Sequence, residues 1–564
     1  MSFKELSPTF SVAPQLSPED VAQAAREGFK LVVCHRHDGE EPGQPTAAEM
    51  ATLATRHGMR FVHLPVTPGD VKDADVEAFI AAIDDDEPRV LGYCKTGKRA
   101  VSFWALSQGG AKDADAIIRT ADAAGYDISE LRSRIVGRAA LGGGGYHHKV
   151  YDIVIIGGGS GGIAAASSIL KRRRDLSIAV IEPADVHYYQ PGFTLIGAGV
   201  FTPDVCKRSM ASVMPDRVTW IQQRVTGFAP DSNEVILEDG ASIRYRGLVA
   251  SPGIKLNWAG VPGLAETLGE NGVTSNYLPD LAPYTHQLAS NLKGGRALFT
   301  QPPMPIKCAG APQKAMYLSC DSFLSNDALD NIEVEFHNAG AVLFGVPEYV
   351  PALMRYVEKY GIKLNLESKL VAVDGPNRIA TFERKGADGA VERIDRAFDM
   401  LHAVPPQIAP EFVAKSPLAG ETGFIAVDQF TLQHVRYPNV FALGDGTTTP
   451  NAKTAAAARK QAPVVAINLL AVLDGKEPLV AYDGYGSCPL TVERGKIVLA
   501  EFGYGGKLLP SFPKWLLDGT KPTRAAWYLK DRLLPPIYWH LMLKGREYLC
   551  KPHMHARNAQ TPAS

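Results

Sequence analysis

The stretch Tyr151–Gly162, YDIVIIGGGSGG, decides the fold of this chain. An apolar run leads straight into Gly157-x-Gly159-x-x-Gly162, and the segment that follows has the composition of a helix. Glycines in this pattern let the backbone approach a pyrophosphate, and the helix N-terminus adds N–H donors and partial positive charge. A second strand ends in Glu182, whose carboxylate can bind a ribose hydroxyl. Spacing and context together predict a dinucleotide-binding site.

Strands and helices alternate on both sides of this stretch, which is typical of parallel sheets covered by helices. Strand candidates lie at residues 29–34, 60–65 and 89–93 before it, and at residues 217–225, 234–237, 248–250, 296–300, 332–336 and 440–443 after it. Helices are expected at residues 46–57, 73–83, 100–106 and 111–134. The sequence therefore predicts an α/β fold.

Four consecutive glycines, Gly142–Gly145, mark the clearest linker in the chain. We therefore predict a first domain over residues 1–136, a linker over 137–149, a large unit over 150–510 and a C-terminal segment over 511–564. In that last segment, rich in Trp, Tyr, Leu and Pro, the pattern predicts two short amphipathic helices, Arg524–Leu534 and Ile537–Lys544, broken at Pro535 and Pro536.

Composition excludes several classes of protein. The 564 residues carry a formal net charge of -1, so a basic face for nucleic acid is not expected. An uninterrupted apolar run of about 18 residues is missing, which argues against a transmembrane helix. The N-terminus lacks a secretory signal, and the seven cysteines contain no Cys-x-x-Cys pair. Reduced thiols in the cytosol are therefore expected, without a metal site.

Two further motifs are typical of flavoproteins that have two dinucleotide-binding domains. Residues 437–446, YPNVFALGDG, resemble the late FAD motif of that family, and the resemblance implies that Asp445 contacts the ribitol. Residues 248–253, LVASPG, resemble its middle turn, which ends at Gly253, with Pro252 where the family has threonine. The resemblance implies FAD as the cofactor and a two-domain, Rossmann-type architecture.

A second glycine motif, for NAD(P)H, is expected in such proteins after a strand in the middle of the chain. The strand candidate at residues 332–336 is followed only by Gly340 and Gly345, at the wrong spacing. Close approach to a second pyrophosphate is then not provided for. NAD(P)H is therefore not expected to be the electron donor.

Residues 300–314, TQPPMPIKCAGAPQK, are similar to the redox cysteine segment of the mitochondrial-type sulfide:quinone oxidoreductases. Other stretches similar to this family extend the resemblance over about residues 150–549. Cys308 lies near the start of a helix expected to open at Pro312, and it follows Lys307. Both features lower the pKa of a thiol. A thiolate is the form that attacks sulfur and donates electrons to a flavin.

The resemblance implies that a sulfide-type donor is oxidised at Cys308, one of two redox cysteines, and that the flavin then reduces quinone. It implies that the helix opened by Lys453 and Thr454 points at the flavin and stabilises its reduced form. It further implies that the C-terminal aromatic segment contacts quinone and the membrane surface. The second cysteine of the family follows the Gly-Asp motif directly, and this chain has Gly446 there.

Glycine cannot form a disulfide, so three hypotheses stay open. Another cysteine serves, with Cys320, Cys206 and Cys94 as candidates. Alternatively, Cys308 acts alone through a persulfide or an external thiol, or the donor is not sulfide. Cys488 lies in a stretch shared with the family and is interpreted as structural. A redox-sensing regulatory flavoprotein without turnover is the alternative from another class.

The first domain has its own cysteine loop. Residues 93–100, YCKTGKRA, read as a strand, a loop and a helix, so the loop N–H groups form an anion nest to which Arg99 adds charge. Four residues separate Cys94 from Arg99, one fewer than in the phosphatase loop, which favours a persulfide or small oxyanion over a phosphoester. With residues 33–44, the loop resembles a bacterial family of phosphatase-like sulfur transferases. Phosphatase activity and a bare anion-binding loop are the alternatives.

Together these patterns predict a bifunctional protein of sulfur metabolism. Sulfide, or a small thiol or persulfide, is oxidised through FAD with quinone as the acceptor, and sulfane sulfur passes to an acceptor for which Cys94 is the candidate. The predicted location is the cytoplasm, at the periphery of the inner face of the membrane. Assembly into a homo-oligomer stays open.

Overall fold

The computed structural model describes residues 3–83, 89–109, 114–139, 150–238, 240–386 and 389–555. The first part of the chain forms an α/β unit, as its pattern predicts. Its strands are β1 (Lys4–Ser7), β2 (Phe10–Ala13), β3 (Leu31–Cys34), β4 (Arg60–His63) and β5 (Val90–Tyr93). Its helices are α1 (Pro18–Arg26), α2 (Ala47–Arg56), α3 (Asp73–Ala82), α4 (Lys98–Ser107), α5 (Ala114–Ala123) and α6 (Arg132–Ala139).

The sheet of this unit has the strand order β1-β2-β5-β3-β4, in which all strands but β1 run parallel. Cys94 follows the central strand β5, so the cysteine loop lies at the carboxyl edge of the sheet, where ligands bind in folds of this type. The stretch predicted as one helix over residues 111–134 is two, because Gly125, at a φ of 86°, turns the chain after α5. Linker residues 140–149 lie outside the described residues.

The second unit begins with the glycine motif between a strand and a helix. Its elements are β6 (Val150–Ile156), α7 (Ser160–Arg172), β7 (Ile178–Ile181), β8 (Val186–Tyr188), α8 (Phe193–Ile196), β9 (Lys207–Ser209), α9 (Met210–Val213), β10 (Val218–Ile221), β11 (Val225–Ala229), β12 (Glu234–Leu237) and β13 (Ser242–Ala250). The strands β10-β7-β6-β13 lie side by side and parallel, and β12 and β11 extend the sheet antiparallel.

A second parallel sheet follows along the chain. The elements up to its last helix are β14 (Lys255–Leu256), α10 (Leu264–Thr267), β15 (Val273–Thr274), α11 (Ala282–Asn291), β16 (Gly295–Gln301), α12 (Ala311–Ser325), β17 (Ile332–Asn338) and α13 (Val350–Lys359). Then come β18 (Lys363–Leu366), β19 (Ser368–Asp374), β20 (Ile379–Lys385), β21 (Val391–Ala397) and β22 (Met400–His402). The strands β15-β22-β16-β17-β18 are all parallel, and β19-β20-β21 form a separate antiparallel sheet.

The strand order corrects one sequence expectation. In the order β18-β17-β16-β22, the strand β16 has the place that β6 has in β10-β7-β6-β13. The turn equivalent to the Gly157 turn is therefore the one after β16, residues 302–310, and not the one after β17. It contains Cys308 and no Gly-x-Gly-x-x-Gly. Sequence periodicity cannot reveal this, because strand order is set by pairing between distant segments.

The rest of the chain packs against both parallel sheets and their helices. Its elements are β23 (Gln407–Ile408), α14 (Glu411–Ala414), β24 (Val440–Ala442), α15 (Ala455–Leu473), β25 (Val480–Ala481), β26 (Gly486–Glu493), β27 (Lys496–Phe502), α16 (Arg524–Tyr528), α17 (Leu534–His540) and β28 (His553–Met554). Strand β24 pairs parallel with β13, which carries the late Gly-Asp motif to the edge where β6 ends. The hairpin β26–β27 packs its buried face on α12.

The C-terminal segment differs from its prediction. Residues 529–533 form one π-helical turn that joins α16 directly to α17, so Pro535 and Pro536 lie in the first turn of α17 and do not separate two helices. Proline is tolerated there because its missing N–H has no partner in a first turn. The segment packs back on α7, where Arg172 donates to Glu547 at 2.6 Å.

One described helix, α15, has the length and apolar composition of a membrane span, but 67% of that stretch is buried inside the protein. Its apolar side chains contribute to the core around β6 and α7. By length and composition alone such a helix is weak evidence for a span, since a core helix passes the same test.

Candidate active site

The glycine motif forms a cradle between β6 and α7. Gly157 has a φ of 92°, and a Cβ there would collide with the carbonyl oxygen of Ser251. A Cβ on Gly162 would collide with the carbonyl oxygen of Gly157. By contrast, no protein atom lies within 4 Å of where a Cβ on Gly159 would be. Two glycines therefore close the turn, and the third leaves room for a ligand at the N-terminus of α7.

Glu182 follows β7 and brings a carboxylate to the same turn. Its Oε2 accepts from Gly158 N at 2.8 Å and its Oε1 accepts from Ala184 N at 2.8 Å. Burial raises the pKa of Glu182, and these two N–H donors oppose the rise. A buried carboxylate held at the tip of the second strand suits a ribose hydroxyl as donor.

The late motif adds a buried acid and a helix start. Burial raises the pKa of Asp445, while the ammonium groups of Lys453 and Lys307 oppose that rise. Lys453 donates from Nζ to Thr447 O at 2.8 Å, and Thr454 caps α15 by accepting from the helix backbone at 3.2 Å. The predicted residues are therefore brought together at the carboxyl edge of the first sheet.

These residues fit FAD. Gly253, at the end of the middle turn, has a φ of 73°, and a Cβ added there would have no protein atom within 4 Å, as at Gly159. Open glycines beside a buried acid and a helix N-terminus are what the pyrophosphate, ribose and ribitol of a dinucleotide require. Gly157, Gly159, Gly162 and Glu182 would hold the nucleotide half, and Asp445 and Gly253 the flavin half.

Cys308 lies at the end of the turn that follows β16, just before α12. Its backbone has a φ of 50°, a left-handed value that is uncommon for a non-glycine residue. Its N–H donates to Lys453 O at 2.7 Å, and Tyr277 Oη donates to its carbonyl oxygen at 3.3 Å. The cysteine is therefore held against the Lys453 segment, beside the residues that fit the flavin half of FAD.

The lysine in hydrogen-bond contact with Cys308 is not the sequence neighbour Lys307 but Lys314. Lys314, buried in α12, donates from Nζ to Cys308 Sγ at 3.0 Å. Lys307 points away and donates to Gln190 Oε1 at 2.8 Å. The pKa of Cys308 lies well below the usual range because of a hydrogen bond from Cys488 and the nearby Lys314 ammonium. The expected lowering of the Cys308 pKa is confirmed. Lys307 also interacts with the Cys308 charge, but the hydrogen bond comes from Lys314.

Two further groups lie near Cys308: Cys488, interpreted from the sequence as a structural cysteine outside the redox pair, and Lys530, which the sequence does not single out. Cys488 Sγ, on β26, lies 4.0 Å from Cys308 Sγ although 180 residues separate the two in the chain. Lys530, in the π-helical turn, is buried and donates to Pro191 O at 2.8 Å. Burial, aided by Lys314, lowers the pKa of Lys530 to about 7, and Cys308 and Cys488 oppose this shift. Local sequence carries no signal for either contact.

The three alternative cysteines lie elsewhere. Cys320 is buried in the core between α12 and β17, and burial raises its pKa. Cys206 is buried in the core around α7, where burial raises its pKa to about 12. Cys94 belongs to the N-terminal unit. All seven cysteines of the chain are free thiols.

The N-terminal loop has the strand, loop and helix geometry that its sequence predicts. Gly97, at a φ of 94°, donates its N–H to Cys94 Sγ at 3.2 Å and caps α4. Arg99 is buried and binds both carboxylate oxygens of Glu40, at 2.6 and 2.7 Å. The hydrogen bond from Arg99 lowers the pKa of Glu40 to about 2. Cys94 and Arg99 thus lie in one loop, in which a backbone N–H points at the sulfur and the guanidinium is held by an acid.

Comparison with known families divides the chain in the same way. Residues 2–111 match the family described as beta-lactamase hydrolase-like protein, phosphatase-like domain. Residues 151–286 match the family described as pyridine nucleotide-disulphide oxidoreductase. The N-terminal part is 31% identical over 130 residues to a beta-lactamase hydrolase-like protein of Xylella fastidiosa, which covers 30% of that protein.

The larger part resembles one group of enzymes throughout. The mitochondrial sulfide:quinone oxidoreductase of Dictyostelium discoideum is 41% identical over 373 residues, 66% of this chain and 80% of that protein. The mitochondrial sulfide:quinone oxidoreductase of Mus musculus is 37% identical over 369 residues, 65% of this chain and 81% of that protein.

A solved structure shares the fold at lower identity. The sulfide:quinone oxidoreductase of Aquifex aeolicus superimposes with a TM-score of 0.59 at 19% identity, over 74% of this chain and 100% of that chain. Fold, motifs and sequence identity agree. The chain belongs to the sulfide:quinone oxidoreductase family of FAD-dependent flavoproteins, and it carries an additional phosphatase-like domain at its N-terminus.

Proposed function

We propose that this protein oxidises sulfide at Cys308 and passes the electrons through FAD to quinone. The observation that carries the proposal is the Cys308 sulfur, which accepts a hydrogen bond from Lys314 Nζ at 3.0 Å and lies beside Asp445 and Lys453. A buried ammonium keeps the sulfur in its thiolate form, and the family relationship supports sulfide and quinone as the substrates.

FAD supplies a two-electron acceptor that can be reoxidised by quinone. The chain contributes the position of the thiolate and the charges around it. Lys314 stabilises negative charge on Cys308, and the N-terminus of α15, capped by Thr454, faces the late motif with unsatisfied N–H groups. Burial of these groups excludes water, which strengthens each interaction.

The test is rapid-mixing absorbance of the anaerobic flavoprotein with sulfide, followed by a quinone analogue. Loss of the flavin absorbance with sulfide and its return with quinone are expected. A protein that dithionite reduces and quinone reoxidises, but sulfide does not reduce, would contradict the proposal and favour a different donor. A protein whose flavin neither sulfide nor quinone affects would favour a regulatory role.

The N-terminal unit is proposed to receive sulfane sulfur at Cys94. The loop N–H of Gly97 points at the sulfur, and Arg99 is already bound by Glu40, which leaves fewer guanidinium donors for a phosphoester. Cys94→Ala is expected to abolish persulfide transfer by this unit. Hydrolysis of p-nitrophenyl phosphate that depends on Cys94, without persulfide transfer, would favour a phosphatase. Unchanged sulfur products in the full protein would contradict the relay.

The C-terminal segment is proposed to lie on a membrane surface. Several large apolar side chains of this segment are exposed, among them Trp515, Leu516, Tyr548 and Leu549. Trp515→Ser combined with Leu516→Ser is expected to weaken co-sedimentation with anionic vesicles. Val391→Ser, which removes an exposed apolar side chain on β21, is the control. Equal binding of all variants would contradict the proposal. The cytoplasmic location stays a prediction from the sequence.

A further inference from the structure

The sulfurs of two free cysteines lie next to each other in the redox site. Cys308 Sγ and Cys488 Sγ are 4.0 Å apart, about twice the length of a disulfide bond. Cys308 precedes α12, and Cys488 lies on β26 with its side chain buried in the core that α12 covers. A shift of about 2 Å between the two sulfurs would therefore allow a bond.

The packing around these cysteines favours this pair over the family position. A Cβ at Gly310 would collide with Cys488 Sγ, so the glycine lets the turn close on β26. At Gly446, where the family has its second cysteine, a Cβ would lie 2.9 Å from Gly253 O and 3.1 Å from Pro252 Cγ. The lack of a side chain at Gly310 therefore leaves space for Cys488 Sγ, whereas atoms of Pro252 and Gly253 occupy the space next to Gly446.

The two thiols are not equivalent. In the reduced pair the two sulfurs are in contact, and the Lys314 ammonium donates a hydrogen bond to Cys308 only. The contact between the two sulfurs is the largest cause that lowers the pKa of Cys308 and raises that of Cys488. The Lys314 ammonium, which is hydrogen-bonded to Cys308, lowers the pKa of both thiols. Cys308 is therefore the better leaving group of a disulfide, and Cys488 is the sulfur that a nucleophile would retain.

We propose that Cys308 and Cys488 form the redox disulfide of this protein, with Cys488 in place of the cysteine that Gly446 lacks. The inference rests on the proposed function. Hydrosulfide attacks Cys488 Sγ, the S–S bond breaks, and Cys308 leaves as a thiolate beside Lys314. Cys488 then carries a persulfide. A small thiolate acceptor takes its outer sulfur and returns Cys488 to the thiol.

The cycle closes when the Cys488 thiol and the Cys308 thiolate form the disulfide again and release one proton and two electrons. Bound FAD would supply the two-electron acceptor for this step, and quinone would be the final acceptor. Sulfide is thereby oxidised to sulfane sulfur on the acceptor, and each turnover consumes one quinone. The step needs no oxidant beyond those of the proposed function.

The first test maps disulfides by mass spectrometry under non-reducing conditions. It uses the full protein after quinone oxidation, and the flavin-free protein after diamide oxidation, so that one measurement is independent of the flavin. A peptide cross-linked between Cys308 and Cys488 is expected in both, with two fewer free thiols than in the reduced protein. A cross-link between Cys308 and any other cysteine, or no cross-link after either oxidation, would overturn the proposal.

The second test compares Cys488→Ala with Cys320→Ala, a buried cysteine in the same core. Cys488→Ala is expected to slow flavin reduction by sulfide by about 100-fold or more, and Cys320→Ala to leave it unchanged. A wild-type rate in Cys488→Ala would overturn the pair while the proposed function stands. If sulfide fails to reduce even the wild type, the proposed function fails, and the cross-link in the flavin-free protein still decides the pair.

Discussion

The turn after β6 and the turn after β16 occupy the same place in two parallel sheets, yet they have different contents. The first has three glycines, of which Gly159 leaves open space at the start of α7. The second ends in Cys308 and Gly310 at the start of α12, and the space next to Gly310 is filled by Cys488 Sγ. One strand–turn–helix geometry therefore serves a ligand in one sheet and a pair of sulfurs in the other.

The comparison shows what a helix start provides and what it leaves to the side chains. Both turns present N–H groups and partial positive charge. In the first turn the backbone must come close to a pyrophosphate, which glycine permits. In the second a fixed ammonium, Lys314 Nζ, is added 3.0 Å from the sulfur, which makes the site specific for a thiolate. The four predictions below test this contrast, from the largest effect to the smallest.

Cys308→Ser should have the largest effect, because it removes from the second turn the sulfur proposed to donate electrons to the flavin. Flavin reduction by sulfide, measured by rapid-mixing absorbance, should fall by about 1,000-fold or more. FAD content, measured by absorbance after denaturation, should match the wild type, since the first turn is intact. If sulfide reduced the flavin of Cys308→Ser at the wild-type rate, Cys308 would not take part in the mechanism.

Gly159→Ala tests the open space of the first turn. The added methyl group meets no protein atom, so the fold should persist, but it enters the space proposed for the pyrophosphate. A misfit of this kind costs about 1–3 kcal/mol of binding free energy, or about 5- to 150-fold in the Kd for FAD. Flavin fluorescence titration of the flavin-free protein measures it.

Gly345→Ala serves as the control for that titration, because a Cβ added there would be equally free of contacts and lies outside the cradle. If both variants bind FAD with the same Kd as the wild type, the open space at Gly159 is not part of the cofactor site.

Lys314→Met tests the charge of the second turn. Lys314 lowers the pKa of Cys308, so its removal should raise the pH at which the thiolate forms. A rise of about one pH unit or more is expected, which reduces thiolate at a fixed lower pH by about tenfold. The pH dependence of Cys308 alkylation in the reduced protein, followed by peptide mass spectrometry, reports it.

Lys307→Met provides the comparison, since the ammonium of Lys307 binds Gln190. Its shift should be smaller than that of Lys314→Met. An equal or larger shift would mean that Lys307, and not Lys314, has the larger effect on the pKa of Cys308.

Gly310→Ala should have the smallest effect, on stability. Its Cβ would collide with Cys488 Sγ, so the turn and β26 must move apart. Overpacking by one methyl group costs about 1 kcal/mol in the free energy of unfolding, the lower end of the usual range. Thermal unfolding measures the change, and Gly345→Ala should stay within about 0.5 kcal/mol of the wild type. If Gly310→Ala were as stable as the wild type, close packing of residue 310 against Cys488 Sγ would not be required by the fold.

Much of the site could be predicted because its signals are local. Gly157, Gly159 and Gly162 lie within six residues, and their spacing reflects a requirement of the local backbone. Asp445 is recognised from the motif formed by its sequence neighbours. Cys308 at the start of a helix and the Cys94 loop are equally local patterns. The predicted domain boundaries stay predictions, and the linker from residue 140 onward lies outside the described residues.

Other expectations failed where distant segments decide. The turn equivalent to the glycine motif was expected after β17, but the strand order puts it after β16. Pro535 was expected to break a helix, but the π-helical turn before it places Pro535 in the first turn of α17, where proline is tolerated. In both cases the sequence pattern is real, and its meaning depends on pairing or packing with residues elsewhere in the chain.

Local sequence patterns were enough to predict the α/β class, the FAD motifs, the two cysteine loops and the lack of the second family cysteine at Gly446. These depend on backbone conformation and on residues within one turn of each other. Only the tertiary structure decided which groups act on Cys308. It turned Lys307 toward Gln190, brought Lys314 to the sulfur and placed Cys488, 180 residues away, at 4.0 Å. Side-chain direction and long-range packing set these distances, and no local pattern encodes them.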